Sequence, residues 1–309
     1  MGDFADGRWH RERARELYDP ANHARFRYQY GQDIGATALC YLCWALWHLG
    51  HVEQAANVSA QAMAIAEASS HPHTLAYTIC HALGMLDVCR RRTEDMKTYA
   101  RVAVAISTDH GFPFWAAGGR IFEGWAVACQ GQADRGIELF DEGLSAWRAT
   151  GARLWLPIFL ALKAQTQAKG GHSDVALQTI EQAIAVSNET NERWAIAEVL
   201  RLKADLLLAT GRARSDEIEA LLADSLEIAR EQKARSWELR TACDLARLWQ
   251  RQGRCEEAVS LLQASYDQFT EGIETPDLAC AKVLLDQLLC PTVIEVLGNQ
   301  IQAGSNRRP

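Results

Sequence analysis

Cys40-x-x-Cys43 has the spacing of a redox dithiol or of one half of a zinc site. The other half is missing, because no second pair of cysteines stands at that spacing anywhere in the chain. His71-x-His73, with Cys80 and His81 further on, also brings metal-ligating types together, but in a polar stretch that reads as a loop entering a helix. Cys89 and Cys129 stand at equivalent positions one period apart and would approach each other if those periods stack. Nine cysteines behind an N-terminus with no apolar leader read as reduced thiols in the cytoplasm. A phosphate-cradling G-x-x-x-x-G-K-[ST] loop is absent, and the nearest string, Lys169-Gly170-Gly171, lacks both the leading glycine and the trailing hydroxyl. No histidine stands in a recognisable nucleophile motif. Arg90-Arg91-Arg92 reads as a solvated corner, and a net charge of -7 argues against nucleic acid and anionic membranes. The most apolar run, 38–47, is too short to span a bilayer. The chemistry-bearing types therefore point away from catalysis, metal and cofactor, and toward binding.

What would position a binding surface is a rhythm of small residues. Gly50, Arg91, Gly131, Gly171, Gly211 and Gly253 follow one another at steps of 41, 40, 40, 40 and 42 residues. Seven positions before each stands a small or slim side chain: Cys43, Gly84, Gly124, Ala164, Ala204 and Ala246. Twelve positions after most of them stands another: Ala62, Ala103, Gly143, Ala183 and Ser265, with Ser225 displaced by two. A fixed period in this range means stacked identical units. Each period holds two segments with apolar residues at three- and four-residue intervals, which predicts two amphipathic helices. The marker glycine ends the first helix at positive φ, and the other two small positions let paired backbones approach.

The ends depart from the rhythm. Gly2, Gly7 and Ala14 repeat the second half of a unit, so residues 1–34 read as half a repeat followed by a long connection over 19–34. The missing partner helix would lie upstream of Met1, as in a piece of a longer protein. Residues 35–290 form the solenoid, closed by a capping helix at Leu278–Leu289, and 291–309 form a short, partly disordered tail. Pro72 and Pro113 precede first helices at nearly equal offsets, Pro157 lies deeper and delays or bends its helix, and Asn191 and Asp216 read as helix caps.

Helix–turn–helix units with small residues at these offsets resemble tetratricopeptide repeats. The segments ELYDPANHARFRYQYGQD, ALWHLGHVEQA, WAIAEVLRLKADLLLATG, SWELRTACDLARLWQRQG and TEGIETPDLACAKVLL are similar to the long helical-repeat tails of bacterial multidomain signalling proteins, in which a class III nucleotide cyclase or another input domain precedes a P-loop ATPase. The resemblance implies an all-α, right-handed α-α superhelix of about six hairpins plus a capping helix, and a scaffold or sensor role. It carries over no catalysis, and a cyclase or ATPase label would be inherited from the longer relatives.

In such stacks the first helices line the concave face. Phasing from the small residue selects Trp44, Trp47, His81 and Trp125 toward one end, and Arg201, Asp205, Arg240, Arg247 and Arg251 toward the other. The expectation is a groove, aromatic at one end and charged at the other, that docks a peptide, a partner protein or another domain with an apolar half and an acidic half. Tryptophan and arginine are the side chains that most often anchor interfaces. Arg201 and Asp205, one turn apart, are expected to pair. The alternative is a small-molecule sensor whose aromatic pocket near Trp44, His81 and Trp125 closes on a metabolite. An uncapped first half-unit favours homodimerisation through the N-terminal end.

Overall fold

The computed structural model describes residues 2–289. Helix α1 (Phe4–Leu17) stands in front, and three short helical turns, rather than an open loop, fill the connection that follows it. Six hairpins come next. They pair α2 (Ile34–His48) with α3 (Val52–Ala68), α4 (72–90) with α5 (Thr93–His110), and α6 (Pro113–Cys129) with α7 (Ala133–Ala149). The series continues with α8 (Leu156–Lys169) and α9 (Ser173–Thr190), α10 (Ile196–Thr210) and α11 (Ser215–Glu231), and α12 (Arg235–Arg251) and α13 (Cys255–Tyr266). Helix α14 (Pro276–Leu289) covers the last pair. The expected tail, 291–309, lies outside the described residues, as does Cys290.

The small residues do what their spacing requires. Cys43, Ala164 and Ala246 are fully buried, as are Ala62, Ala103, Ala183 and Ser225. A Cβ on Gly124 would stand 2.9 Å from the Gly136 carbonyl oxygen and 3.1 Å from the Phe140 nitrogen, so α6 and α7 touch through backbone. The turn markers all take positive φ, and Arg91 does so at 57° without being glycine.

Two irregularities refine the pattern. Pro72 stands twelve residues before Gly84, whereas Pro113 stands eleven before Gly124. The extra residue is absorbed inside α4, where Ile79–Met85 forms a π-helical stretch. Pro157 falls in the first turn of α8, so that helix starts late, after Trp155 at positive φ. Of the two expected caps, Asn191 ends α9 in the left-handed region, whereas Asp216 sits inside the first turn of α11, one residue past its start.

The larger finding is closure. The array does not run out straight, because its first and last hairpins meet. Glu271 accepts hydrogen bonds from the backbone nitrogens of Glu53 and Gln54 at 3.0 and 3.2 Å, capping α3 from the far end of the chain. The Glu53 carboxylate accepts from the Gly272 nitrogen at 2.9 Å in return. Ser236 Oγ donates to the Trp47 carbonyl, and Arg240 donates to that of Cys89.

Candidate functional site

Closure turns part of the concave face into a cavity of about 460 Å³. Its wall is built by first helices in succession: Arg91 from the end of α4, Trp125 from α6, Lys169 from α8, Arg201 and Asp205 from α10, Arg240 and Arg247 from α12. Arg201 donates to both oxygens of Glu198 at 2.7 and 2.9 Å and to Asp244 at 2.7 Å. Arg240 donates to Glu198 at 3.1 Å and to Asp277 at 2.8 Å, and its guanidinium lies over the rings of Trp47 and Trp237. Arg91 reaches Asp277 at 3.3 Å. Burial alone would raise the Glu198 carboxyl, but the two guanidiniums outweigh it and hold it at about 2. Arg201 and Arg240 are themselves buried, so this network is held together by complete pairing.

Other groups in the wall are less satisfied. The Lys169 ammonium has a single recorded partner, the Cys129 thiol at 3.9 Å. The Trp125 indole N–H is buried with no acceptor. Among the described residues Asp205 has neither hydrogen bond nor ion pair, and burial together with the neighbouring Asp244 raises its carboxyl. Arg247 binds Asp244 at 2.8 Å and stays partly exposed. The lining holds five cations, Arg91, Lys169, Arg201, Arg240 and Arg247, against three carboxylates, Glu198, Asp205 and Asp244. Arg91 registers that excess: the nearby Arg240 charge depresses its guanidinium, burial adds to this, and Asp277 opposes both.

The aromatic residues have a different fate. Trp47, His81 and Trp125 are 2%, 1% and 4% exposed, so they do not form the open groove face expected of them. Closure is the reason, since Trp47 packs on Trp237 from α12 with ring centroids 4.8 Å apart. His81 lies in the π-helical stretch, stacked on Tyr77 at 4.0 Å and on Trp44 at 5.5 Å. Burial drives the imidazoles of His81 and His48 down to about 3, so both stay neutral. Trp44 remains half-buried, its indole nitrogen donating to the His81 carbonyl at 2.7 Å.

Of the residues phased onto the groove, Trp125, Arg201, Asp205, Arg240 and Arg247 do line one cavity. Arg251 is exposed in the last turn of α12 and lies outside that lining. Arg201 pairs with Glu198 and Asp244 rather than with Asp205. Arg91 and Arg92 are exposed, as a solvated corner requires, and Arg91 in addition reaches Asp277 at 3.3 Å. Lys169, Trp237 and Asp244 were not selected. For Trp237 a signal was present: Trp115, Trp155 and Trp237 each stand nine positions before a small residue, Gly124, Ala164 and Ala246. Cys40 and Cys43 are wholly buried packing residues, with burial pushing the Cys40 thiol up to about 12. His71 caps α4 through the Thr74 nitrogen, and His73 accepts the Trp115 indole N–H at 2.9 Å.

Comparison with solved structures places this arrangement. The chain superposes on RapI in its apo form with a TM-score of 0.56 at 11% identity, over 75% of this chain and 82% of that one. It superposes on a Rap protein complexed with Competence and Sporulation Factor with a TM-score of 0.55 at 11% identity, over 82% of this chain and 75% of the other. The fold is a tetratricopeptide-like solenoid. By sequence, an uncharacterized protein of Rhizobium meliloti is 27% identical over 222 residues, which cover 71% of this chain. The chain spans about a fifth of that relative's length. No protein-family model matches. Among the described residues no helix is long and apolar enough to cross a membrane.

Proposed function

We propose that this chain is a non-catalytic binding module that docks an acidic segment of a partner protein, or of another domain of a longer polypeptide, in its charged cavity. The observation that carries the reading is the unbalanced wall: five cations line it against three carboxylates, Asp277 behind it answers only Arg240 and Arg91, and the Lys169 ammonium has no carboxylate partner among the described residues. A guest carrying carboxylate oxygens would pair with the exposed Lys169 ammonium through a charge-assisted hydrogen bond. The likeness in fold to a Rap protein seen in complex with Competence and Sporulation Factor supports a binding role. The much longer relative supports a place inside a longer polypeptide, and the resemblance of the repeats to the tails of cytoplasmic signalling proteins would leave any catalysis to another domain there, a cyclase or an ATPase. Exposed Trp9, Leu17, Tyr28 and Tyr30 at the N-terminal end would serve self-association.

A second reading, a small-molecule sensor, is favoured by the size of the cavity, which falls in the range of small-ligand sites. Thermal unfolding with short acidic, basic and neutral peptides separates the two. Acidic peptides are expected to raise Tm with concentration, and Lys169→Glu with Arg247→Glu to abolish the rise. Small carboxylates that raise Tm where acidic peptides do not would establish the sensor reading instead.

A further inference from the structure

Two further cavities share no lining residue with the charged one. The first, aromatic and of about 280 Å³, is walled by the rings of Phe4, Tyr41, Trp44, Trp155 and Trp194. Those rings already cover one another, since Trp44 stacks on His81 and on Trp194, and Arg11 lies over Tyr41. The second, of about 340 Å³, lies at the seam where the two ends of the array meet. Its wall takes Arg8 from α1, His51 from the turn between α2 and α3, and Arg230, Lys233, Arg235 and Glu238 from the end of α11 through the start of α12.

Four cations therefore line the seam cavity against one carboxylate. Glu238 accepts from Arg230 at 3.0 Å, and Glu12, outside the lining, accepts from Arg8 at 2.7 Å. Glu271 also acts on His51, but its carboxylate is spent on the backbone nitrogens at the start of α3. No carboxylate answers the other two cations. Arg235 reaches the Gln268 carbonyl at 3.4 Å, and among the described residues the exposed Lys233 ammonium has neither hydrogen bond nor ion pair. Lys233 also stands where the backbone disfavours it. In the turns that follow α3, α5, α7 and α9, the left-handed position is filled by Ser70, Gly111, Gly151 and Asn191. After α11 it is filled by Lys233 at a φ of 54°. A long side chain takes that conformation only at a cost, and what the turn gains is an ammonium in the cavity wall.

The shape of this surplus selects the guest. Donors approach from α1, from the turn before α3 and from the start of α12. A carboxylate offers two oxygens in one plane and a single charge. A phosphoryl group offers three oxygens on a tetrahedron and close to two charges, so it meets donors from several walls at once. The volume falls in the range of small-ligand sites. We propose that the seam cavity binds a small phosphorylated compound, its phosphoryl oxygens held by Lys233 and Arg235 and flanked by Arg8 and His51. The site stands independently of the charged cavity, and its guest would bridge the first and last hairpins.

Calorimetric titration at fixed ionic strength, with pyrophosphate and with the dicarboxylate succinate, tests the chemistry. Pyrophosphate is expected to bind about tenfold more tightly than succinate. Lys233→Gly removes the ammonium and suits the left-handed backbone, so it is expected to keep the fold while weakening pyrophosphate by about tenfold. Arg235→Gln is expected to weaken it similarly, and Lys169→Glu with Arg247→Glu, in the other cavity, to leave it unchanged. Burial and then Arg8 lower the His51 imidazole, with Arg235 adding to them against Glu271 and Glu12. A bound anion favours the imidazolium, so pyrophosphate is expected to raise the midpoint of the His51 ring-proton titration. Equal affinity for succinate, no saturable binding of pyrophosphate, full affinity in Lys233→Gly, loss of binding in the charged-cavity double variant, or an unmoved His51 midpoint would overturn the proposal. Tighter binding of a phosphoserine peptide than of pyrophosphate would overturn the assignment to a small compound.

Discussion

The charged cavity is walled by the later first helices and the aromatic cavity by α1, α2 and the turns before α8 and α10, and the two handle polar groups in opposite ways. In the first, Arg201, Arg240, Glu198 and Asp277 neutralise one another, and specificity is left to the few groups outside that network, Lys169, Asp205 and the Trp125 N–H. In the second, the Trp44 and Trp194 donors are spent on protein acceptors, and the rings stack on one another, Trp44 on His81 and on Trp194. The contrast teaches that position along a repeat fixes where a side chain points, whereas its neighbours across the superhelix decide whether it is free. Arg240 and Lys169 both point into one cavity, but only Lys169 lacks a carboxylate.

The sharpest way to break the contrast is Arg240→Ala. It strips Glu198 and Asp277 of a shared guanidinium in a buried setting, where losing one partner of a buried pair costs about 3–5 kcal/mol. Urea denaturation should show that loss; a change under 1 kcal/mol would mean that water already screens the network.

Acid attacks the aromatic side first. His48 and His81 have folded pKa values near 3, below the ordinary 6.5, so the unfolded chain takes up protons that the folded one refuses. Their stabilising contribution is complete above pH 6.5 and is lost as the pH falls from there toward 3. By pH 5 each histidine costs about 2 kcal/mol. Asp87, raised to about 6 by burial against the pull of Arg90, works the other way between pH 6 and 3.8 and offsets part of this. Glu198 joins the loss only between about 4.5 and 2. Equilibrium unfolding against pH should therefore decline in two stages, and a His81→Phe variant should flatten the upper one.

Glu271→Ala tests the closure on which both cavities depend. It removes a capping carboxylate from the start of α3, worth about 1 kcal/mol, and hydrogen exchange at Glu53 and Gln54 should accelerate. Unchanged protection there would show that the ends are held by packing alone. The smallest effect is expected from Arg251→Glu, which lies outside the cavity lining. It should change stability by no more than about 0.5 kcal/mol and leave acidic-peptide binding intact, in contrast to Lys169→Glu with Arg247→Glu.

Much of the fold could be read without coordinates because its determinants are local. The 40-residue step, the turn glycines and the buried Ala62, Ala103 and Ala183 follow from helix geometry within one unit. Even the extra residue between Pro72 and Gly84 was visible, though not that it would be stored as a π-helical stretch around His81. The site was legible in part. Phase alone brought Trp125, Arg201, Asp205, Arg240 and Arg247 to one cavity, and it misplaced Arg251 and the openness of Trp47.

By itself, then, the order of residues determined the hairpins, their number and the face each side chain presents, since those depend on contacts within one or two units. Only the tertiary structure decided how far the array curls. Curvature accumulates from a small rotation at every hairpin interface, and no single interface writes that sum into its sequence. Its outcome brings Ser236 to Trp47, Arg240 to Cys89 and Glu271 to Glu53, residues 151 to 218 positions apart. Those meetings bury one part of the expected groove, pair its arginines, and leave two separate cavities where a continuous trough was expected.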